Sequence, residues 1–311
     1  MTGPPDASRA PRYTGIKTFA RCPHVAAPDG VDVGFVGIPF DTATSFRPGA
    51  RFGPEGIRAA SQLLRPYHPP LDVDVFDGRA VADLGDIEVT PGNAERTAGQ
   101  IAEQLGAIVR AGVTPIVLGG DHSIVLGELR AHAAVHGPLA LVLLDAHADT
   151  WDQYYGERYF HGTPFRRAVE EGLLQPERSL LAGMRGSLYG PEDLGEARAM
   201  GFEVLTGAEL HDLGPAAYGQ RVRDRVGDAR AYLSFDIDFL DPAYAPGTGT
   251  PEVGGASTAD AQRLLRALAG MRVVGFDVVE VAPAYDGPGQ QTSLAAANIA
   301  YEMLALTALA R

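Results

Sequence analysis

Cysteine is nearly absent from this chain of 311 residues, where Cys22 stands alone. A lone thiol excludes an internal disulfide and any Cys-based zinc or iron–sulfur cluster, and it favours a reducing, intracellular setting. Cys22 itself reads as an inert thiol. Positive charge is also scarce, with 26 Lys and Arg against 39 Asp and Glu and a formal net charge of −13. Nucleic acids and anionic membranes are held by basic patches, so neither is expected as a partner. A cationic ligand or bound cations suit the balance better. Long apolar runs are missing as well: no stretch offers ~18 uninterrupted apolar residues. Met1 to Arg12 is Pro/Ala/Arg-rich and carries no apolar secretion segment. The expectation is a cytoplasmic protein without a spanning helix.

What is present belongs to an ordinary globular protein, with 45% hydrophobic and 21% charged residues. Short apolar runs alternate with segments of helical period. Strands are predicted at Val31–Gly37, Asp72–Phe76, Thr114–Gly119, Leu139–Asp145, Ser179–Met184, Tyr232–Asp238 and Arg272–Val279. Helices are predicted at Pro54–Leu64, Asn93–Ala111, Ile124–His136, Thr258–Ala269 and Thr292–Ala310. In Asn93–Ala111 the residues Ala98, Ile101, Ala102, Leu105, Ile108 and Val109 recur on one helix face. Runs such as VLLD and VVGFDVV are nearly continuous in apolar residues, as in strands buried on both faces of a parallel sheet. The alternation therefore predicts an α/β fold: a three-layer α/β/α sandwich with a mainly parallel central sheet and right-handed crossovers. No linker, repeat or compositional break divides Gly30 from Arg311. Residues 1–311 read as one domain, with residues 1–28 as a loosely attached N-terminal arm. Ligands of such sheets bind at the carboxyl ends of the strands.

Three clusters stand at those ends: Gly119-Gly120-Asp121-His122-Ser123, Asp145-Ala146-His147-Ala148-Asp149-Thr150, and Asp236-Ile237-Asp238. In extended backbone, residues two apart project to the same side. Asp145, His147 and Asp149 are therefore expected to converge, as are Asp236 and Asp238. His122 from a third strand completes a set of two imidazoles and four carboxylates. A single Asp-x-Asp at a strand end reads more simply as a cap or turn brace, but three such clusters on one sheet edge do not. Four adjacent carboxylates repel strongly unless cations neutralise them. A thiol-free, oxygen-rich ligand set suits Mn²⁺. Six ligands are too many for one ion that also holds a water, yet they suit two bridged ions that acidify a shared water. The reaction class indicated is hydrolysis.

Together with GIPFD at Gly37–Asp41, RPGARFGP at Arg47–Pro54, HGTPF at His161–Phe165, the long segment Ser234–Gly255 and DVVEVAP at Asp277–Pro283, these clusters make the chain resemble the ureohydrolase family. That family holds arginases, agmatinases and guanidino-acid hydrolases. The resemblance implies an arginase-like fold and an amidinohydrolase that cleaves a guanidino group to urea and a primary amine with two Mn²⁺ per subunit. One ion would be held by His122, Asp145, Asp149 and Asp236, and the other by Asp145, His147, Asp236 and Asp238. Glu280 would orient the guanidinium, which stays charged because its pKa exceeds ~12. His161 would be the acid/base group for the leaving amine, and Asp149 would also aim the nucleophile. His24, His68, His132, His136 and His211 match nothing in the pattern and read as surface or packing residues.

The HGTPF and GTGTPEVGG wording looks closer to the agmatinase branch. The expected reaction is hydrolysis of agmatine to putrescine and urea, a step of polyamine biosynthesis. The alternative is a guanidino-acid hydrolase such as guanidinobutyrase or proclavaminate amidinohydrolase; formiminoglutamase and a non-catalytic relative stand further off. The loop Thr150–Phe160 is rich in aromatics. It offers Asp152 or Glu157 to an ammonium tail and Arg158 to a carboxylate tail. The resemblance also implies a homo-oligomer, trimer or hexamer.

Overall fold

In a computed structural model describing residues 4–190 and 192–310, strands and helices alternate from end to end. The strands are β1 (Val33–Gly37), β2 (Tyr67–His68), β3 (Val73–Asp74), β4 (Val81–Asp86), β5 (Thr114–Leu118), β6 (Ala140–Leu144), β7 (Leu180–Met184), β8 (Glu203–Thr206), β9 (Ala231–Asp236) and β10 (Val273–Val279). The helices are α1 (Gly53–Ala60), α2 (Ala94–Arg110), α3 (Val125–His136), α4 (Pro164–Glu170), α5 (Glu192–Ala199), α6 (Gly207–Val226), α7 (Thr258–Arg266) and α8 (Gln291–Leu309).

Eight strands form one sheet in the order β4-β1-β5-β10-β9-β6-β7-β8, every neighbouring pair parallel. Alternation along each strand divides the core in two. On β6, Ala140, Val142 and Leu144 pack with Ile57 of α1, Leu210 of α6, Leu264 of α7 and Ile299 of α8. Leu141 and Leu143 pack with Ala98 of α2, Leu129 of α3, Phe165 of α4 and Ala197 of α5. The result is the three-layer α/β/α sandwich expected. Helix α8 is long and apolar enough to cross a membrane by length and composition, but 72% of that stretch is buried within the protein.

Two expectations change. The strand predicted at Asp72–Phe76 shrinks to β3, which pairs only with β2 in a separate ribbon. The sheet edge is instead β4, whose Asp83 is buried because Arg58 pairs with it at 2.8 Å. The N-terminal arm is also less loose than its composition suggests. Phe19 is fully buried and stacks on Phe35 at 3.8 Å, and its N–H donates to Asp83 at 2.9 Å. Cys22 is buried there too, and burial followed by the nearby Asp83 pushes its thiol pKa upward, in keeping with an inert thiol.

Candidate active site

Four adjacent strands deliver the site. Leu118 of β5 lies beside Val278 of β10, Val279 of β10 beside Asp236 of β9, and Phe235 of β9 beside Leu144 of β6. The chain therefore leaves these strands abreast. Beyond that point the convergence differs from simple strand alternation: β6 ends at Leu144, so Asp145, His147 and Asp149 lie on an irregular loop, and Asp238 sits in a 3-10 turn, Ile237–Phe239. Local hydrogen bonds set those loops. The His147 N–H donates to Asp145 Oδ1 at 2.7 Å, the Asp238 N–H to Asp236 Oδ1 at 2.8 Å, and the Ala146 N–H to Asp238 Oδ1 at 3.1 Å. Asp149 and Glu280 adopt left-handed backbone, φ 49° and 63°, which is unfavourable for residues with a Cβ and accumulates at functional sites. Gly120 permits a close crossing, since a Cβ there would lie 1.8 Å from the Phe40 carbonyl oxygen.

All six residues expected to hold metal come together. His122 Nδ1 lies 3.0 Å from Asp149 Oδ2, 3.1 Å from Asp145 Oδ2 and 3.4 Å from Asp236 Oδ2. His147 Nδ1 lies 3.1 Å from Asp238 Oδ2 and 3.6 Å from Asp145 Oδ1. Asp145 thus belongs to two groups, His122–Asp145–Asp149 and Asp145–His147–Asp238, each with its ligand atoms within 4.8 Å of one another.

The pairing of atoms tests whether cations fit. His122 Nε2 is 2.9 Å from Ser234 Oγ, and with the proton on that nitrogen Nδ1 presents a lone pair to carboxylate oxygens that are acceptors themselves. His122 Nδ1 and Asp145 Oδ2 are both buried without a hydrogen-bond partner. Burial, followed by Asp238 and Asp145, drives the Asp236 carboxyl well above its usual range. Opposed lone pairs and uncompensated carboxylates fit divalent cations bound among them.

Beside the cluster, His161 Nδ1 lies 2.9 Å from Glu280 Oε1, and the Ser45 N–H donates to His161 Nε2 at 3.0 Å. A backbone N–H requires a lone pair at Nε2, so Nδ1 carries the ring proton and donates it to Glu280. Burial opposes a charge on this ring, but the Glu280 carboxylate outweighs it and lifts the pKa to about 9. The hydrogen bonds fit the neutral ring, since a second proton on Nε2 would face the Ser45 donor. Glu280 Oε1 also accepts the His122 N–H at 2.9 Å, whereas Oε2 is buried and unpartnered.

The early motifs build the wall that holds Ser45. Asp41 accepts the Gly49 N–H at 2.7 Å and pairs with Arg51, and Asp121 accepts the Ala43 N–H at 2.9 Å. Sequence reasoning missed Ser45. Its one signal was its place between two of the recognised motifs.

A cleft of about 330 Å³ opens onto the cluster. Trp151 and Tyr154 stack at 5.1 Å along one side, and Tyr154 stacks in turn on Phe160 at 5.2 Å. The charges expected to read the substrate tail are not in it. Asp152 pairs with Arg167 and Arg158 with Glu170, and these two and Glu157 lie outside the lining. The described lining instead contributes carboxylates from Asp193 and Glu252 and, besides the histidines of the site, one Arg, Arg185, and no Lys. Arg185 is committed to backbone carbonyls: Glu252 at 2.9 Å, Leu240 and Val253 at 3.3 Å, Gly183 at 3.4 Å, and Asp238. None of the unmatched histidines lines the cleft; His68, for example, is buried against Glu302 at 3.0 Å.

Comparison with known proteins agrees with the fold. The sequence pattern of the arginase family matches residues 31–305. The chain is 46% identical over 301 residues to a mitochondrial agmatinase of Gallus gallus, covering 97% of this chain and 88% of that protein. It is 45% identical over 304 residues to a guanidinobutyrase of Pseudomonas aeruginosa, covering 97% and 95%. The structure of a proclavaminate amidino hydrolase from Streptomyces clavuligerus superposes with a TM-score of 0.93 at 42% identity, covering 97% of this chain and all of that one.

Proposed function

The chain belongs to the arginase family, and from that premise we propose that it hydrolyses agmatine to putrescine and urea with two Mn²⁺ bound per subunit. It is an amidinohydrolase of guanidino compounds. The relatives carry names for different substrates, so the choice rests on the far end of the cleft. The observation that carries it is charge. Asp193, whose Oδ2 accepts the Tyr189 N–H at 2.8 Å, and Glu252 add carboxylates to the cleft lining, while Arg185 is tied to the backbone. A cationic tail meets a favourable field, and the aromatic wall of Trp151 and Tyr154 suits the methylenes between guanidinium and ammonium.

His122, Asp145, Asp149, Asp236, His147 and Asp238 would hold the ions. When bound, the ions would supply Lewis acidity and a water that ionises at neutral pH. Glu280 Oε2, buried and unpartnered, is the acceptor left to orient a guanidinium. Asp149 would align the nucleophile by accepting its hydrogen bond. Glu280 raises the proton affinity of His161, whose Nε2 reaches the cleft through Ser45 Oγ at 2.8 Å. A proton taken up at Nε2, which must turn from the Ser45 N–H to donate to Ser45 Oγ, would pass through that pair to the departing amine. A homo-oligomer in the cytoplasm belongs to the same proposal, and light scattering and cell fractionation check it.

A second reading is a guanidino-acid hydrolase, favoured by the presence of Arg185 in the lining; it requires Arg185 to exchange carbonyl partners for a substrate carboxylate. Urea release by the Mn²⁺-loaded enzyme from agmatine, 4-guanidinobutanoate, 3-guanidinopropanoate, arginine and amidino-proclavaminate decides between them. Agmatine is expected to give the highest kcat/KM, and Glu252→Gln to lower that value roughly tenfold, the worth of about 1.4 kcal/mol. An acid outranking agmatine would overturn the substrate, and no urea from any of them would overturn the reaction class.

A further inference from the structure

The DVVE segment brings Glu280 to the site and leaves Asp277 unexplained. On β9, Leu233 and Phe235 face α7 and α8, so Tyr232 and Ser234 face α3. On β10, Phe276 and Val278 face α7 and α8, and Asp277 lies opposite Ser234 in the sheet register. Helix α3 adds Glu128, which is fully buried.

The donors here have one consistent direction. Ser234 Oγ donates to Asp277 Oδ1 at 2.7 Å, and the Phe235 N–H donates to the same oxygen at 3.2 Å. An ionised carboxylate accepts only. The Ser234 hydroxyl, having given its proton to Asp277, must therefore accept one from His122 Nε2, which leaves the Nδ1 lone pair aimed at the metal cluster. The Tyr232 hydroxyl, near Asp277 but without a hydrogen bond to it, bonds Glu128 Oε2. Glu128 Oε1 and Asp277 Oδ2 are buried without any hydrogen-bond partner. Among the described residues no Lys or Arg is paired with either carboxyl. His132, one turn along α3, offers no charge, since its Nδ1 bonds the Glu128 carbonyl at 2.8 Å and burial lowers its pKa to about 4. Two charged carboxylates cannot share this dry site.

We propose that Asp277 is a positioning residue that orients His122 through Ser234, and that Glu128, bonded to the Tyr232 hydroxyl near Asp277, carries the proton that lets two buried carboxyls stand behind the cluster. With Glu128 neutral, the charge behind the cluster sits on Asp277, to which the Ser234 hydroxyl and the Phe235 N–H both donate. That charge fixes the tautomer of His122 and strengthens Nδ1 as a ligand, the role that outer carboxylates play behind ligating histidines.

The inference rests on the reading that the cluster binds divalent ions, and the test separates the two. Full-length apo protein is titrated with Mn²⁺, free ion being followed by electron paramagnetic resonance. The unsubstituted protein is expected to take up two ions. Asp277→Asn and Ser234→Ala are expected to weaken one of them by roughly 10–100-fold and to spare the other. Glu128→Gln is expected to bind within about threefold of the parent, because the amide is neutral as the protonated acid is and its oxygen still accepts the Tyr232 hydroxyl. Selective ¹⁵N-histidine spectra of the apo protein are expected to show His122 protonated at Nε2, and to lose that signature in Asp277→Asn. Parental binding of both ions by Asp277→Asn or by Ser234→Ala would overturn the proposal, as would a loss in Glu128→Gln equal to that in Asp277→Asn. Should Asp277→Asn fail to fold, Ser234→Ala, which removes one oxygen, decides by the same outcomes. If the unsubstituted protein binds no Mn²⁺, the metal reading is what fails, and the spectra still decide the orientation of His122.

Discussion

Asp149 and Glu280 hold their side chains inward from left-handed backbone, a strain that the surrounding hydrogen bonds must outweigh. Their chemistry is tested by removing charge at constant size. Asp149→Asn or Asp238→Asn is expected to lower urea release by at least 100-fold, and near-parental activity with added Mn²⁺ would sink the assignment. His132 offers a test away from the site. Burial lowers its pKa from 6.5 to about 4, so between those values the unfolded chain binds a proton that the folded chain does not. Stability is expected to fall as pH drops through this window, by on the order of 3 kcal/mol. His132→Gln should flatten the fall in denaturant titrations between pH 7 and 4.5, and an unchanged slope in the variant would refute it.

At the scale of elements, the arm from Thr18 to Cys22 acts as part of the sheet edge. Removing residues 1–17 is expected to leave Tm within ~2 °C. Phe19→Ala should cost about 3–5 kcal/mol, because it empties a buried ring site against Phe35; a cost below about 1 kcal/mol in urea unfolding would disprove the anchoring. The same scale shows what could be read from the chain. Strands β5, β6, β9 and β10 were legible because burial on both faces leaves unbroken apolar runs, and the His/Asp cluster was legible because its residues follow directly on those runs. Strand β4 was not, since Asp83 and Gly85 spoil its pattern and the Arg58 that compensates Asp83 lies 25 residues away. Helix α6 was hidden by Gly214 and Pro215, where the backbone breaks at φ 73°. Ser45 and Ser234 act through partners 116 and 112 residues distant, beyond any local pattern. The tail-reading charges failed for the same reason: Asp152 and Arg158 find Arg167 and Glu170 only once α4 is folded.

For the whole molecule, two divalent ions would bring the formal charge of −13 to about −9. Ligands that bind only the folded state stabilise it by mass action. Mn²⁺ at about 100 times its Kd is expected to add roughly 2.7 kcal/mol per ion, raising Tm in scanning calorimetry, with a chelator reversing the gain. A Tm indifferent to Mn²⁺ would argue against a metal centre. The sheet order has a further consequence. Strands β4, β1 and β5 form one contiguous half and β9, β6, β7 and β8 the other, and β10 alone joins them. His122 follows the first half, while Asp145 and Asp236 belong to the second. In chain order the joining strand is the last of the eight sheet strands to be synthesised. The nascent chain therefore cannot bring His122 beside Asp145 and Asp236 until that eighth strand has emerged, which would make metal capture follow closure of the sheet and an occupied centre a report that the sheet has closed.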